Sequence, residues 1–212
     1  MNGRLNRRLE MLKRSTLLEI FSRISDYIYL IKSQYYYKLY FGAIGKNSKI
    51  IMPMRLKNVE NVFIRDDVII NKFAFIITVQ ASGTAKPSLV VDSGSTIGHF
   101  NHIAAVNSVY IGKNVLTADK VYISDHNHQY ADISIPVMDQ GIYSNGIVSI
   151  GDGTWIGENV CIVSAKIGRN CVVAANSVIT KDIPDYSVAA GIPARVIKKY
   201  DPDTNRWVKP PI

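Results

Sequence analysis

The sequence is poor in cysteine, with only Cys161 and Cys171 among 212 residues. Two cysteines are too few for a small fold held by disulfides, and they lack the paired spacing of a zinc site. The chain can build a core without such crosslinks, since 47% of its residues are hydrophobic. We therefore expect one folded domain with an extension, in a reducing compartment.

Long apolar runs are also missing. No stretch approaches the roughly 20 continuous apolar residues of a membrane-spanning helix. The N-terminus lacks the order of basic, apolar and cleavage segments that a secretory leader needs. These absences predict a cytoplasmic protein, with at most a peripheral contact to the inner face of the plasma membrane.

The net charge of +8 is concentrated near the N-terminus. Residues 1–50 contain ten Lys or Arg against three acids, whereas residues 51–179 contain nine against ten. A basic domain can bind nucleic acid, but this charge lies on a terminal segment and the aromatic-studded β surface of an RNA binder is not recognisable. We predict no nucleic-acid partner.

The strongest pattern is a repeat between Ile111 and Ile179, in which an aliphatic residue, often followed by glycine, returns about every six residues. Clear steps begin at Ile111, Ile150, Ile156 and Ile167. A helix needs apolar residues every three or four positions and a flat strand every two, so a period of six favours short strands joined by tight turns. Three such strands complete a coil of about eighteen residues, which predicts an all-β solenoid. An ordinary sandwich is the alternative, although its strands usually recur every ~8–12 residues.

The repeat stops once, between Tyr122 and Tyr130, and the four histidines of the chain lie around this break. They are His99, His102, His126 and His128. Stacked coils bring such positions onto adjacent coils, so we expect all four to share one neighbourhood. The imidazole of histidine titrates near neutrality, so one histidine can take a proton and later return it. We place the chemistry of the protein at this break.

At these residues the sequence resembles the hexapeptide-repeat acyltransferases, whose fold is a left-handed parallel β-helix. The segments that carry the resemblance are ISDHNH at 123–128, IGDGTWIG at 150–157, ANSVITKDIP at 175–184 and VAAGIPARVI at 188–197. The most similar members are the galactoside and maltose O-acetyltransferases and the enzymes that acetylate bacterial O-antigen and capsule. We expect a helical extension over residues 1–43, the β-helix over residues 44–200 and a tail over residues 201–212.

The resemblance places the catalytic general base at His126, which would take the proton of a sugar hydroxyl as it attacks a thioester. His128 is the alternative base. Asp125 could orient the imidazole of His126, although adjacent side chains on a strand point apart. A backbone carbonyl could do this instead.

The acceptor side is expected near the break and in the loop 127–147, which ignores the repeat and looks like the loop that covers the site of a neighbouring subunit. Related enzymes carry an asparagine that touches the acceptor, and Asn101 lies near that position, with His99 and His102 as alternatives. The candidate acceptor residues are Asn101, His102, Asp125 and His128.

The resemblance also implies a coenzyme A site. The corresponding positions are Trp155, Ala175, Thr180, Lys181, Arg195 and Lys198. Backbone amides at Ala175 and Thr180 would contact the pantetheine and phosphate groups, and the three cations would supply charge. Glu158 departs from the small polar residue of many relatives, and the step from Ile162 to Ile167 is one residue short. The resemblance implies no metal.

Residues 2–41 have helical periodicity, with aliphatic residues three or four positions apart, or at multiples of that spacing, among basic ones. One interpretation is an amphipathic helix on an anionic membrane surface. The other is a helix that covers the end of the solenoid or packs on another subunit. We expect the tyrosine-rich stretch 35–41 to close the solenoid end.

These features predict an acetyl-CoA-dependent O-acetyltransferase that acts on a sugar hydroxyl of a cell-surface polysaccharide or its precursor, as a homotrimer with shared sites. An N-acetyltransferase of an amino sugar on the same scaffold remains open. A γ-carbonic-anhydrase-like metalloenzyme is the alternative from another class, but its ligand pair is expected five residues apart, unlike His126 and His128. A non-catalytic binding module is a further alternative, against which the coenzyme A signature weighs.

Overall fold

The computed structural model describes residues 16–81, 85–144 and 146–209, and these form a stack of coils made of short strands. Each full coil contains three strands, one in each of three parallel sheets. The described part of the chain begins with helix α1 (Leu17–Ile31), followed by a π-helical turn (Lys32–Tyr36) and a 3-10 turn (Tyr37–Leu39).

The strands follow in chain order. The first three coils contain β1 (Ala43–Ile44), β2 (Lys49–Ile50), β3 (Arg55–Lys57), β4 (Val62–Ile64), β5 (Ile69–Ile70), β6 (Phe75–Thr78), β7 (Ser88–Val91), β8 (Thr96–Ile97) and β9 (His102–Ala105). The fourth coil contains β10 (Ser108–Ile111), β11 (Leu116–Thr117) and β12 (Tyr122–Ser124), and an antiparallel hairpin of β13 (His126–His128) and β14 (Ile142–Ser144) follows. The last two full coils contain β15 (Ile147–Ile150), β16 (Trp155–Ile156), β17 (Cys161–Val163), β18 (Lys166–Ile167), β19 (Val172–Val173) and β20 (Val178–Ile179). The stack ends with β21 (Ser187–Gly191), β22 (Ala194–Asp201) and β23 (Arg206–Val208).

The three sheets share one core. The first sheet has the order β1-β4-β7-β10-β15-β18, the second begins β2-β5-β8-β11-β16-β19-β21, and the third is β20-β17-β12-β9-β6-β3. In the first sheet Ile111 pairs with Ile150, and Ile150 pairs with Ile167 one coil further. Such stacked side chains are almost fully buried, and each contributes about 1.5–3 kcal/mol of hydrophobic stabilisation. The residues that start each six-residue step therefore form the core.

The corners of the coils explain the glycine and asparagine of the repeat. A Cβ built at Gly151 would lie 2.4 Å from the backbone N of Arg169 in the next coil, so no larger residue fits. Asn114 and Asn170 adopt left-handed φ values of 54° and 49°, which asparagine tolerates better than most residues. The repeat thus encodes close stacking and tight turns together.

The N-terminal helix is confirmed where the structure describes it. Thr16 caps α1 in a reciprocal capping box with Glu19. The predicted helical residues 1–15 lie outside the described ranges. Of the tyrosine-rich stretch, only Tyr37 and Phe41 are buried in the core at the solenoid end; the other aromatic side chains of this stretch stay exposed, which corrects the prediction that the whole stretch closes the end.

Three further details concern predicted boundaries and cysteines. The stretch predicted as a tail from residue 201 contributes β23, which pairs with β22. Cys171 is buried and Cys161 is partly exposed, and both are free thiols. None of the helices in the described ranges is long and apolar enough to cross a membrane.

Candidate active site

The break in the repeat forms one wall of a cleft of about 260 Å³. The third sheet supplies side chains from β6, β9 and β12, and the hairpin strand β13 supplies the other wall. The polar and aromatic lining residues are Phe75, His102, Tyr122, His126, Asn127 and His128. The chain therefore leaves the solenoid next to the cleft, as the interruption of the repeat predicts.

Two groups lie beside Nδ1 of His126, a hydroxyl at hydrogen-bond distance and a carboxylate slightly farther away. Its Nδ1 lies 3.0 Å from Ser124 Oγ and 3.6 Å from Asp125 Oδ1. The hydroxyl of Ser124 also donates to the carbonyl oxygen of His126 at 3.0 Å and accepts from its backbone N–H at 3.2 Å. When the hydroxyl proton lies on the carbonyl oxygen, Ser124 Oγ faces Nδ1 as an acceptor.

This arrangement, with the carboxylate of Asp125 on the same side, favours one tautomer of His126. With two acceptors beside Nδ1, the neutral ring carries its proton on Nδ1 and leaves the lone pair on Nε2. The side chain is only 13% exposed, so little of the ring besides the cleft edge meets solvent. The ring is thereby prepared to accept a proton at Nε2.

Asp125 acts as a clamp between two coils. Its carboxylate accepts backbone N–H groups from Val106, Asn107 and Ser108 at 2.7–2.8 Å. Burial by itself raises the pKa of Asp125, but the adjacent imidazole of His126 and the three backbone N–H groups outweigh burial and lower the pKa below its ordinary value. Asp125 is therefore ionised at neutral pH, beside the imidazole that would become cationic.

The burial of Asp125 corrects its assignment to the acceptor side. The residue has no exposed surface, and its oxygens are occupied by the chain itself. The same correction applies to Asn101, which is also fully buried. The Asn101 amide donates to Thr117 Oγ1 at 2.7 Å, and its oxygen accepts from the Val121 backbone N–H. Both side chains complete hydrogen bonds between coils and cannot touch a sugar.

His102 remains in the cleft. Its ring centroid lies 4.2 Å from that of Phe75 and 5.1 Å from that of Tyr122, so the three rings form a column across β6, β9 and β12. Burial and the nearby charge of His126 lower the pKa of His102. The column is thus a largely uncharged aromatic surface beside His126.

The other two histidines differ in their placement. His128 is exposed and lines the cleft from the hairpin. His99 lies at a coil corner, where its Nδ1 is 3.1 Å from Asp119 Oδ1, and it is not among the residues that line the cleft. The prediction that all four histidines share one neighbourhood is therefore wrong for His99, because the turn at this corner directs it to Asp119.

The predicted coenzyme A residues lie along the second and third sheets, apart from the cleft. Trp155 is half-exposed on β16. Lys198 is exposed on β22 and lies in the same row across the second sheet, because Trp155 pairs with Val172, Val172 with Val188 and Val188 with Lys198. Ala175, Thr180, Lys181 and Arg195 are exposed at corners and strand ends. None of the six lines the cleft around His126 in the described chain.

Ser124 was not singled out from the sequence. Residues i and i+2 of an extended strand point to the same face, so the serine two positions before His126 was the residue to inspect. No comparable spacing in the sequence indicates that Asp125 is buried. Its three partners come from a turn seventeen to nineteen residues earlier.

Within the described ranges, no group of three or more His, Cys, Asp or Glu side chains is placed to hold a metal ion.

Comparison with known proteins identifies the family. Residues 147–181 match the family described as "Hexapeptide repeat of succinyl-transferase". The chain is 35% identical over 157 residues to the putative lipopolysaccharide biosynthesis O-acetyl transferase WbbJ of Escherichia coli, covering 69% of this chain and 80% of that protein. It is 34% identical over 155 residues to the galactoside O-acetyltransferase of Escherichia coli, covering 68% of this chain and 73% of that protein.

A solved structure agrees with the fold. AntD, an N-acyltransferase from Bacillus cereus crystallised with dTDP and 3-hydroxybutyryl-CoA, superposes with a TM-score of 0.64 at 17% identity, over 81% of this chain and 90% of AntD. The stacked coils and the cleft beside the break thus define a β-solenoid with a candidate active site. The chain belongs to the hexapeptide-repeat acyltransferase family and has its left-handed parallel β-helix, which confirms the family and fold predicted from the sequence.

The clamp makes stability depend on pH. Asp125→Asn should lower the free energy of unfolding by about 2–3 kcal/mol near neutral pH, because an amide cannot accept three backbone N–H groups. Since the pKa of Asp125 is lower in the folded state, its stabilisation is present above the ordinary carboxyl value and is lost as the pH falls below it. Urea unfolding of both proteins should therefore converge at acid pH.

The exposed Asp132 provides the matched control, because its carboxylate accepts hydrogen bonds from the backbone N–H and the hydroxyl of Ser134, two residues further along an exposed loop. Asp132→Asn should change the urea midpoint far less than Asp125→Asn does over the same pH range, because solvent screens this exposed carboxylate. An Asp125→Asn variant as stable as the wild type at neutral pH would contradict the clamp.

Proposed function

We propose that the protein is an acetyl-CoA-dependent O-acetyltransferase of a sugar hydroxyl in a cell-surface polysaccharide or its precursor. The observation that carries the proposal is the imidazole of His126, which faces a cleft with Nε2 free while Ser124 and Asp125 hold Nδ1. Two relatives, each aligned with this chain over most of its own length, are named as a lipopolysaccharide biosynthesis O-acetyl transferase and a galactoside O-acetyltransferase. A cytoplasmic location agrees with the use of acetyl-CoA.

The chemistry follows from these groups. Acetyl-CoA supplies the acetyl group as a thioester. Nε2 of His126 takes the proton of the acceptor hydroxyl while the hydroxyl oxygen forms the new C–O bond to the thioester carbonyl carbon. The resulting imidazolium is stabilised by the Asp125 carboxylate 3.6 Å from Nδ1. His126 then returns the proton to sulfur as the C–S bond breaks, which gives a sugar ester and free coenzyme A.

The acceptor would lie against the ring column. The apolar faces of a sugar stack on aromatic rings, and Phe75, His102 and Tyr122 offer such a surface next to His126. His128 lines the opposite wall. We therefore keep His102 and His128 as acceptor residues and assign Asn101 and Asp125 to the support of the site.

The donor would approach along one edge of the third sheet. Ser124 pairs with Val163, and the register of β17 with β20 continues this row to Thr180. Two strand spacings put Thr180 about 10 Å from Ser124, a distance that an extended pantetheine arm can span. Ala175 and Thr180 would contact that arm, Trp155 would pack on it, and Lys181, Arg195 and Lys198 would attract the phosphates.

We also propose a homotrimer with sites between subunits. The second sheet exposes Leu116 and Trp155 side by side, about half of each side chain being accessible in the single chain. Such apolar neighbours on a flat face favour burial against another copy. Sedimentation equilibrium should give about three times 23.6 kDa; a fully active monomer would exclude shared sites.

His126→Ala should lower kcat by at least about 100-fold and leave acetyl-CoA binding nearly unchanged, because the base is lost but the donor site is not. Initial rates with saturating donor and calorimetric titration with coenzyme A measure the two quantities. His99→Ala is the matched control, since His99 lies outside the cleft, and it should keep near wild-type kcat. A His128→Ala variant that is dead beside an active His126→Ala variant would reverse the assignment.

Arg195→Ala should raise KM for acetyl-CoA several-fold with a smaller change in kcat, and make donor binding less sensitive to salt because one cation has gone. Arg206→Ala on the neighbouring strand β23 removes an equal charge outside the proposed site and serves as the control. An unchanged KM in both Arg195→Ala and Lys181→Ala would refute the phosphate contacts.

N-acetylation of an amino sugar uses the same base and remains the second candidate. Labelled acetyl-CoA supplied with either acceptor class separates the two. An ester product is released by mild alkali, whereas an amide product survives it.

A further inference from the structure

Helix α1 and the turn that follows it expose a row of apolar side chains on the side that faces away from the solenoid. They follow one another at alternating spacings of four and three residues, and their exposure ranges from 43% to 75%. We call them the outer stripe: Leu17, Phe21, Ile24, Ile28, Ile31 and Tyr35. A continuous apolar surface of this kind on a folded protein marks an interaction site.

Polar contacts on the opposite face prevent the stripe from turning inward. Asp26 pairs with Lys49 Nζ at 2.9 Å. Ser33 Oγ accepts the backbone N–H of Ile50 at 2.8 Å, and Gln34 Nε2 donates to Gly45 O at 2.8 Å. Rolling the helix to bury the stripe would break all of these contacts, so the outward orientation is built into the fold.

We propose that the outer stripe docks α1 onto an anionic lipid bilayer, with the helix parallel to the surface. Three exposed cations, Arg23, Lys32 and Lys38, lie beside the stripe. Residues 1–15 lead directly into α1 and contain five Lys or Arg against one acid in the sequence. Anionic headgroups complement this charge, and basic residues near such a surface strengthen binding additively.

Aromatic side chains support a bilayer rather than a dry protein interface. Tyr27, Tyr36 and Tyr40 border the stripe, each more than half exposed. Tyrosine favours the boundary between headgroups and acyl chains, where its ring is in an apolar environment and its hydroxyl is hydrated. Lys32 Nζ lies 5.9 Å from the ring centroid of Tyr36 and 5.1 Å from that of Tyr37, so its charge lies beside these aromatic rings.

A second copy of the chain is the competing occupant, because the spacing also fits a coiled-coil seam. Two observations weigh against it. The exposed apolar surface is wider than such a seam, since it includes Tyr27 beside Ile24 and Ile28. The positions that would extend the seam toward the N-terminus are Arg14 and Glu10. A flat charged surface fits these features better than a paired helix.

Flotation of the full-length protein with vesicles tests the proposal. Wild type should float with vesicles that contain phosphatidylglycerol at low ionic strength, and far less with pure phosphatidylcholine or at high salt. Phe21→Ser with Ile24→Ser and Ile28→Ser should reduce the bound fraction by at least about tenfold. Replacing the five basic residues of 1–15 with glutamine should also reduce binding to the anionic vesicles.

Met52→Ser with Met54→Ser removes exposed apolar side chains elsewhere and should float like wild type. Sedimentation equilibrium of the stripe variant separates the two occupants: an unchanged mass together with lost flotation supports bilayer docking, and a reduced mass shows that the stripe holds another copy. Wild type that stays unbound at low ionic strength also overturns the proposal. Because flotation uses neither donor nor acceptor, its outcome is independent of the acetyl-transfer proposal.

Discussion

The fixed distance between stacked coils is the constraint on which the rest of this structure depends. Backbone hydrogen bonds hold each coil against the next, and at the corners this leaves no room for a side chain such as a Cβ at Gly151. Every sixth residue then points inward, and isoleucines such as Ile150 stack into a continuous core. Polar residues can enter this stack only where they bond to the coil beside them, as Asn101 and Thr117 do.

The candidate site uses the same constraint where the repeat stops. Asp125 replaces a regular corner with a carboxylate that holds three backbone N–H groups where the third coil passes into the fourth. That anchoring lets the chain leave the solenoid as the hairpin without loosening the coils. It also positions a negative charge behind His126, so one side chain contributes both to the stability of the break and to the electrostatics of the imidazole.

The sequence predicted the coils and the position of the break well, because inward residues such as Ile150 and corner glycines such as Gly151 repeat locally. It could not predict which polar residues near the break are buried. Asn101 and Asp125 are fixed by partners about twenty residues away, so their burial depends on the register between coils. Helical periodicity also predicted α1 but not its orientation, because Ser33, whose hydroxyl binds Ile50, packs inward while the apolar stripe points out.

The chemistry proposed for His126 requires that Ser124 and Asp125 hold the neutral ring with its proton on Nδ1 and its lone pair on Nε2. Long-range ¹H–¹⁵N correlation spectra of the protein labelled with ¹⁵N-histidine, assigned with a His126→Gln variant, report the tautomer directly. We expect a protonated Nδ1 and an unprotonated Nε2 in the neutral ring of His126. A ring protonated on Nε2 would contradict this expectation, because that nitrogen could not then act as the base.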